Sequence, residues 1–315
     1  MGKQGVGKEF ILNLFLLKHK EVMEQLLGMS LGQIELEKPF GRNKLDFSAV
    51  SEKKIEVIME NQISSSDDSH LRTVINIIDS IQEGVVIWGA TSFHPNHVMA
   101  VKQKLQQYPS KYIDFYCVQI SHDVVEKLTI LDQMYPLEVW DHLYLIKKVK
   151  NDLLQIIDKR QQVPPSHFGR VYAGEKVYDM DRIEDIKEMM LHNLRDKLSF
   201  FPNIHKGKKH SAHHLMLRIG AGMDGVSYQC SVRNQKNMAM IALQMDDHRL
   251  NLYDQFRELD DIREKVHPNV IFEKRKIAVY FTPSLNTEET VNELADLLKR
   301  FINYFSPFIY NRLPI

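Results

Sequence analysis

Two acidic residues and one amide, separated by a short polar turn, have the types and spacing to bind a metal ion. Asp46 lies in a segment typical of a β-strand, and Glu60 and Gln62 end the next apolar segment, 55–63. Because side chains alternate along a strand, Glu60 and Gln62 project to one face, and a hairpin would bring Asp46 beside Glu60 there. Two carboxylates are costly to bury without a partner. Divalent cations such as magnesium prefer carboxylate oxygens, so the pattern predicts a metal site.

The elements after this hairpin place the site at the end of a strand. A polar loop, 64–68, leads into a helix with Ser66 or Asp67 as its N-cap and apolar residues at helical spacing up to Ile81. Another apolar strand follows at 84–88. A strand, a capped helix and a further strand indicate an α/β core, in which strand ends carry functional sites. The open alternative is that the acidic face is simply solvated.

This order of elements resembles the PD-(D/E)XK nuclease superfamily. The resemblance rests on a strand with Asp46, a turn, a strand that ends in Glu60-x-Gln62, and a helix that begins near Asp67 and His70. The superfamily motif ends in Lys, and this chain has Gln62 in that place, as some branches do. The similarity extends to about residue 120 and includes bacterial proteins that join such a domain to a second, C-terminal domain.

The resemblance implies a restriction-endonuclease-like mixed sheet flanked by helices. It also implies hydrolysis of DNA phosphodiester bonds with Mg²⁺ or Mn²⁺, in a role such as defence against foreign DNA. Asp46 and Glu60 would ligate the metal, which activates a water molecule and stabilises charge on the phosphate. Gln62 would orient that water or a phosphate oxygen through its amide.

Three further residues are accessory candidates. Glu37, on the strand before Asp46, could reach the metal or simply face outward. His70, in the first turn of the helix after the motif, could contact DNA phosphate, cap the helix or pack. Glu9, on the first helix, could point to the site as such helices do in the superfamily, or lie on a solvated face.

A second function class stays open because of Gln62. An amide has no positive charge and cannot replace the electrostatic contribution of a lysine. The alternative is therefore a non-catalytic nuclease-fold module that binds DNA or protein. Composition does not decide between these classes, because 41 basic and 41 acidic residues give no net charge and hence no overall basic field. A local basic cleft is compatible with that balance.

The strongest domain boundary is the Pro164-Pro165 pair, since adjacent prolines cannot continue a helix. We predict a nuclease-like domain at 1–160, a linker at 161–176 and an α+β domain at 177–315 for target recognition or self-association as a homodimer. The second domain contains a basic run, 206–210, that is either a phosphate-binding loop or a solvated surface loop.

Hydrophobic periodicity predicts the remaining elements. Helices are expected at 9–27, 95–107, 140–159, 181–198, from 246 to about 264, and at 287–305. Strands are expected at 33–38, 113–120, 215–219, 225–233, 238–245 and 270–282.

No signal peptide or membrane span is visible. The apolar run 10–17 is broken by Asn13 and is too short to cross a bilayer. The two cysteines, Cys117 and Cys230, match no metal-ligand spacing and read as small core residues in a reducing compartment. We therefore expect a cytoplasmic protein with no membrane partner.

Overall fold

The chain divides into two compact units. The first comprises Met1–Lys176 with His205–Gly207, and the second comprises Val177–Ile204 with Lys208–Ile315. The computed structural model describes residues 6–41, 43–149, 152–161, 178–207 and 215–311. Apart from Gln161, the predicted linker 161–176 lies outside the described residues.

The first unit is built on a six-stranded mixed sheet in sequential order. Its strands are β1 Leu31–Phe40, β2 Asn43–Ser51, β3 Glu56–Asn61, β4 Glu83–Ala90, β5 Tyr112–Ile120 and β6 Leu154–Arg160. β3, β4 and β5 are parallel, and the other neighbours pair antiparallel. Its helices are α1 Lys8–Lys18, α2 Glu21–Leu27, α3 Asp68–Ser80, α4 Pro95–Gln106, α5 His122–Asp132, α6 Val139–His142 and α7 Tyr144–Lys147.

Helices cover both faces of this sheet, and successive residues of the central strands alternate between the two resulting cores. On β4, Val86 and Trp88 pack with the residues of α3 and α4. Val85 and Ile87 pack with those of α1 and α5. Central parallel strands need this burial on both sides. The predicted α/β class with a partly parallel sheet is confirmed.

The first helix differs from its prediction in two ways. The single helix expected at 9–27 is two helices, α1 and α2, and Gly28 ends the second with φ of +67°. Such a left-handed C-cap favours glycine. All seven side chains from Phe10 to Leu16 are buried in α1. A helix that is apolar on every side is a core helix and not a surface helix with one apolar stripe.

The prediction of a mostly helical segment at 140–159 is wrong. Only the short helices α6 and α7 form, and the chain then enters β6, which pairs antiparallel with β5. Burial along β6 alternates, with Leu154 and Ile156 more buried than Gln155 and Ile157. This period of two is the strand signal, and it was masked by the apolar residues of the preceding helices.

The second unit is an antiparallel sheet with helices, which agrees with the predicted α+β class. Its strands run in the order β10-β11-β9-β8-β7. Their bounds are β7 Met216–Gly220, β8 Val226–Ser231, β9 Ala239–Met245, β10 Ile271–Glu273 and β11 Lys276–Phe281. Its helices are α8 Ile183–Lys197, α9 Leu250–Arg257, α10 Ile262–Lys265 and α11 Thr287–Ile309. The long helix α11 packs on α8, β8 and β9.

Two boundaries in this unit correct the predictions. The single strand expected at 270–282 is a hairpin of β10 and β11, and the helix expected from 246 to 264 is divided into α9 and α10. Of the basic run 206–210, Lys206 and Gly207 belong to the first unit, while 208–210 lie outside the described residues.

None of the helices within the described ranges is long and apolar enough to cross a membrane.

Candidate functional site

The hairpin of β2 and β3 brings Asp46 and Glu60 together. The strands pair Phe47 with Met59, so the next antiparallel position aligns Asp46 with Glu60. The backbone N–H of Asn61 donates to Asp46 Oδ2 at 2.8 Å. Asp46 is therefore fixed by the residue that follows Glu60.

β2 is irregular at Asp46. Its neighbours Leu45 and Phe47 would share one face of a regular strand, yet they belong to the cores on opposite faces of the sheet. The strand consequently twists at this position. This twist coincides with the contact between the Asp46 carboxylate and the Asn61 N–H.

Glu60 is the most unusual polar residue of the site. Only 8% of it is exposed, and its Oε2 has no hydrogen-bond partner in the described part of the chain. A buried carboxylate oxygen without a donor costs free energy, and such groups are rare in native proteins. This unsatisfied oxygen makes Glu60 the strongest candidate for a ligand-binding group at the site.

Burial and mutual repulsion control the ionisation of the two carboxyls. Burial raises the pKa of Asp46 to about 7, although the hydrogen bond from Asn61 opposes the shift. Burial raises the pKa of Glu60 to about 9, and the negative charge of Asp46 adds to the effect. Two carboxyl groups this close oppose each other's ionisation, because their negative charges repel.

Two further carboxylates contribute to this negative field. Glu9 and Glu37 both raise the pKa values of Asp46 and Glu60 by charge repulsion. Glu9 Oε1 accepts from the backbone N–H of Ile63 at 3.3 Å, so α1 presents this residue at the end of β3. The structure thus places the accessory candidates Glu9 and Glu37 around the pair.

Glu37 occupies a strained position opposite Asp46. It lies between the β1–β2 pairs formed by Leu36 and Lys38, and its φ is +53°. A left-handed conformation costs a residue with a Cβ about 1 kcal/mol or more and is frequent at functional sites. Its carboxylate forms an ion pair with Lys44 at 3.2 Å.

Gln62 lies on the same side of the sheet as Glu60, but its side chain is hydrogen-bonded to the loop that follows. It is fully buried, and its Oε1 accepts from Trp88 Nε1 at 3.1 Å. Its Nε2 donates to Ser64 Oγ at 3.1 Å, to the carbonyl of Ser65 and to Asp67 Oδ2 at 3.3 Å. Both ends of the amide are therefore engaged, and its role in orienting a water or phosphate stays a prediction.

Asp67 caps α3, as predicted, and it also holds His70. Asp67 Oδ1 accepts from the backbone N–H groups of Ser69 and His70, and His70 Nδ1 donates to the same carboxylate at 3.0 Å. The positive charge of His70 acts to lower the pKa of Asp46, against the dominant effect of burial. His70 consequently combines a capping contact with a position near the acidic pair.

Ser66 and Asp68 each lie within hydrogen-bonding distance of His97, in the manner of a nucleophilic triad. Ser66 Oγ contacts His97 Nδ1 at 2.9 Å, and His97 Nε2 lies 3.3 Å from Asp68 Oδ1. Ser66 is only 2% exposed, however, and its Oγ also accepts from the N–H of His94. A nucleophile must be accessible to its substrate, so these contacts are structural and hold the loop against α4.

Sequence reasoning missed Asn13 and Asn61 as members of the site. Asn61 Nδ2 donates to Asn13 Oδ1 at 2.7 Å, and both side chains are buried. This bond links α1 to the residue whose N–H holds Asp46. The signal was present in Asn13, the polar residue that interrupts an otherwise apolar helix.

The donor set fits a hard divalent cation. Among the described residues, no group of three or more His, Cys, Asp or Glu side chains could enclose a metal ion. Mg²⁺ does not need such an enclosure, because it keeps several waters and uses one or two carboxylates with substrate phosphates. Asp46 and Glu60 are two carboxylates, and the unsatisfied Glu60 Oε2 is available as a ligand.

No model of a known protein family matches the chain, and a search of curated proteins finds no match.

Proposed function

We propose that this protein hydrolyses phosphodiester bonds of DNA with Mg²⁺ or Mn²⁺, as the resemblance to PD-(D/E)XK nucleases implies. The observation that carries the proposal is the buried Glu60 Oε2, which has no donor in the described residues and lies beside a second, half-buried carboxyl, Asp46. A pair of this kind is destabilising by itself, and a bound cation would remove both the repulsion and the unsatisfied oxygen.

Asp46 and Glu60 would hold the metal in this proposal. The cation would lower the pKa of a bound water and stabilise the charge on the phosphate. Asn61 fixes Asp46 through its backbone N–H. Gln62 accepts from Trp88 of β4 and donates to the Ser65 carbonyl, so it fixes the loop that follows Glu60. His70 would contact the phosphate, because it lies close enough to Asp46 for its charged form to lower the pKa of that carboxyl.

The test is metal-dependent cleavage of supercoiled plasmid and of linear duplex DNA, with duplex RNA as the comparison substrate. We expect nicking or linearisation with Mg²⁺ or Mn²⁺, loss of activity with EDTA, and no cleavage of RNA. Glu60→Gln is the closest change in shape and should abolish cleavage while leaving the protein folded. A parent protein that cuts no DNA with either metal would contradict the proposal.

A non-catalytic module that binds DNA or protein is the second candidate, and one observation favours it. Gln62 has no charge, and its amide is occupied by Trp88, Ser64, Ser65 and Asp67. The motif position therefore supplies no cation to a scissile phosphate. This candidate predicts DNA binding without cleavage at any metal concentration.

The second unit and the cellular location complete the proposal. The second unit would serve target recognition or self-association as a homodimer. Both cysteines lie in the described part of the chain and form no disulfide. That state suits a reducing compartment such as the cytoplasm, where we place the protein.

A further inference from the structure

Three consecutive residues, His205–Gly207, belong to the first unit although they lie far along the chain from the rest of it. The His205 ring stacks on that of Trp140, with centroids 5.2 Å apart and planes 7° from parallel. Gly207 lies so close to the backbone of Glu37 that a Cβ at this position would overlap the Glu37 carbonyl oxygen. Lys206, between these two anchors, therefore has a defined position.

Lys206 presents a half-buried ammonium at the rim of the candidate site. Its Nζ lies 5.0 Å from the centre of the Phe10 ring. Phe10 follows Glu9 directly in the chain. Burial lowers the pKa of Lys206, and the nearby charge of Glu37 acts in the opposite direction. Glu37 in turn lies across the β1–β2 ladder from Asp46.

This ammonium has no ion-pair partner among the described residues. Glu37 is the carboxylate whose charge acts on Lys206, but it forms its ion pair with Lys44. A desolvated cation without a counter-ion costs free energy. An aromatic ring offsets only part of that cost, about 0.5–2 kcal/mol. A phosphate at the rim would supply the missing negative charge.

We propose that Lys206 contacts a backbone phosphate of DNA bound at the Asp46–Glu60 site, and so supplies the positive charge that Gln62 does not. This inference rests on the proposed function. The competing explanation is that Lys206 only packs its aliphatic stem on Phe10. The two explanations differ in what a change of charge does to DNA binding.

The experiment measures binding of a fluorescein-labelled DNA duplex by anisotropy in CaCl₂, over a series of KCl concentrations. The full chain is compared with Lys206→Gln, Lys206→Arg and the matched control Lys148→Gln. Lys148 also holds its ammonium over an aromatic ring, that of Tyr144, at 4.5 Å. Plasmid cleavage with Mg²⁺ and thermal melting are recorded for each variant.

We expect Lys206→Gln to weaken binding by about tenfold at low salt and to lower the slope of log Kd against log salt by about one. Lys206→Arg should keep the affinity and the slope near those of the parent, and Lys148→Gln should change neither. All variants should melt near the parent. Gly207→Ala should weaken binding as Lys206→Gln does, because it displaces the anchored segment.

Three results would overturn the inference. If the parent cuts DNA but Lys206→Gln binds with the parent's affinity and salt slope, Lys206 makes no phosphate contact and the proposed function stands. If Lys206→Gln and Lys206→Arg weaken binding equally and both melt at lower temperature, the role of Lys206 is packing. A parent that neither binds nor cuts DNA would overturn the proposed function and this inference together.

Discussion

Two acidic positions of the first unit show opposite solutions to the same problem. Asp79, near the end of α3, accepts a hydrogen bond from the Tyr108 hydroxyl at 2.7 Å and pairs with Lys104 at 2.9 Å. Burial by itself raises the pKa of Asp79, but these two donors outweigh it and the pKa is lowered. Among the described residues, no lysine or arginine offsets the charge of the Asp46–Glu60 pair, and both pKa values are raised.

The contrast shows that the acidic pair lacks the basic partner that other acidic residues in the described part of the first unit have. The same unit pairs Lys102 with Asp158 at 2.6 Å, and even the accessory Glu37 has Lys44. Among the acidic side chains of the described residues, only Glu60 combines burial with an oxygen that no donor satisfies. Perturbed and unpaired groups concentrate at functional sites, because selection retains their cost only where they act.

The largest expected effect separates the two positions by activity. Asp46→Ala and Glu60→Ala each remove a metal ligand, and we expect metal-dependent plasmid cleavage to fall by at least about a hundredfold. Asp79→Ala removes a carboxylate that is bonded to Lys104 and Tyr108. It should lower the melting temperature while preserving cleavage. The contrary result, manganese binding by both Asp46→Ala and Glu60→Ala as tight as the parent's in calorimetry, would rule out the metal site.

The next effect is on stability, and its sign differs between the two positions. Asp46 and Glu60 have raised pKa values, about 7 and about 9, so the folded state binds more protons than the unfolded state above about pH 4. Their contribution is complete at lower pH and is lost as the pH rises toward 9. We expect the metal-free parent to lose about 1–3 kcal/mol of unfolding free energy between about pH 5 and 9, relative to Glu60→Gln.

Asp79 is the control, because its pKa is shifted in the opposite direction and its effect on stability has the opposite pH dependence. Its lowered pKa stabilises the fold above the unfolded pKa, and this stabilisation is lost as the pH falls through the folded pKa. Asp79→Asn should therefore destabilise the protein at neutral pH and approach the parent in acid. Urea titrations from about pH 2 to about pH 9, with and without Mn²⁺, measure both effects. A parent curve parallel to that of Glu60→Gln would show that the acidic pair is not strained.

Much of this site was accessible from the sequence because it depends on local pattern. The alternation of β3 and a turn between two strands were enough to place Asp46 beside Glu60, and Asp67 was recognisable as a helix cap. The parallel centre of the sheet followed from alternating strands and helices. These features need only residue type and spacing over short distances.

The features that sequence reasoning missed depend on contacts between distant residues. Asn13 and Asn61 are 48 positions apart, and Lys206 lies beside Phe10 after nearly two hundred intervening residues. No periodicity carries that information. The β6 error has a different cause, since the apolar residues of α6 and α7 hid a period of two in the strand that follows them.

Gln62 should affect folding more than its motif position suggests. Gln62→Ala leaves the buried Trp88 Nε1 without its acceptor and frees the loop at Ser65, which should cost about 1–3 kcal/mol of unfolding free energy. Gln62→Lys removes the same acceptor, so we expect a similar loss in a urea titration and no gain in cleavage. Higher activity of Gln62→Lys at unchanged stability would show that the amide stands in for a catalytic lysine.

The smallest expected effect concerns Glu37 and decides whether it is a ligand or only part of the surrounding charge. Its carboxylate is already paired with Lys44, so Glu37→Gln should weaken Mn²⁺ binding by only about two- to threefold near pH 9. At lower pH the loss should shrink, because removing this charge also lowers the raised pKa values of Asp46 and Glu60 and eases their ionisation. Lys44→Gln, which unpairs Glu37, should instead tighten binding slightly. Calorimetric titrations with Mn²⁺ at the two pH values measure these differences, and a loss above about tenfold at both would make Glu37 a direct ligand.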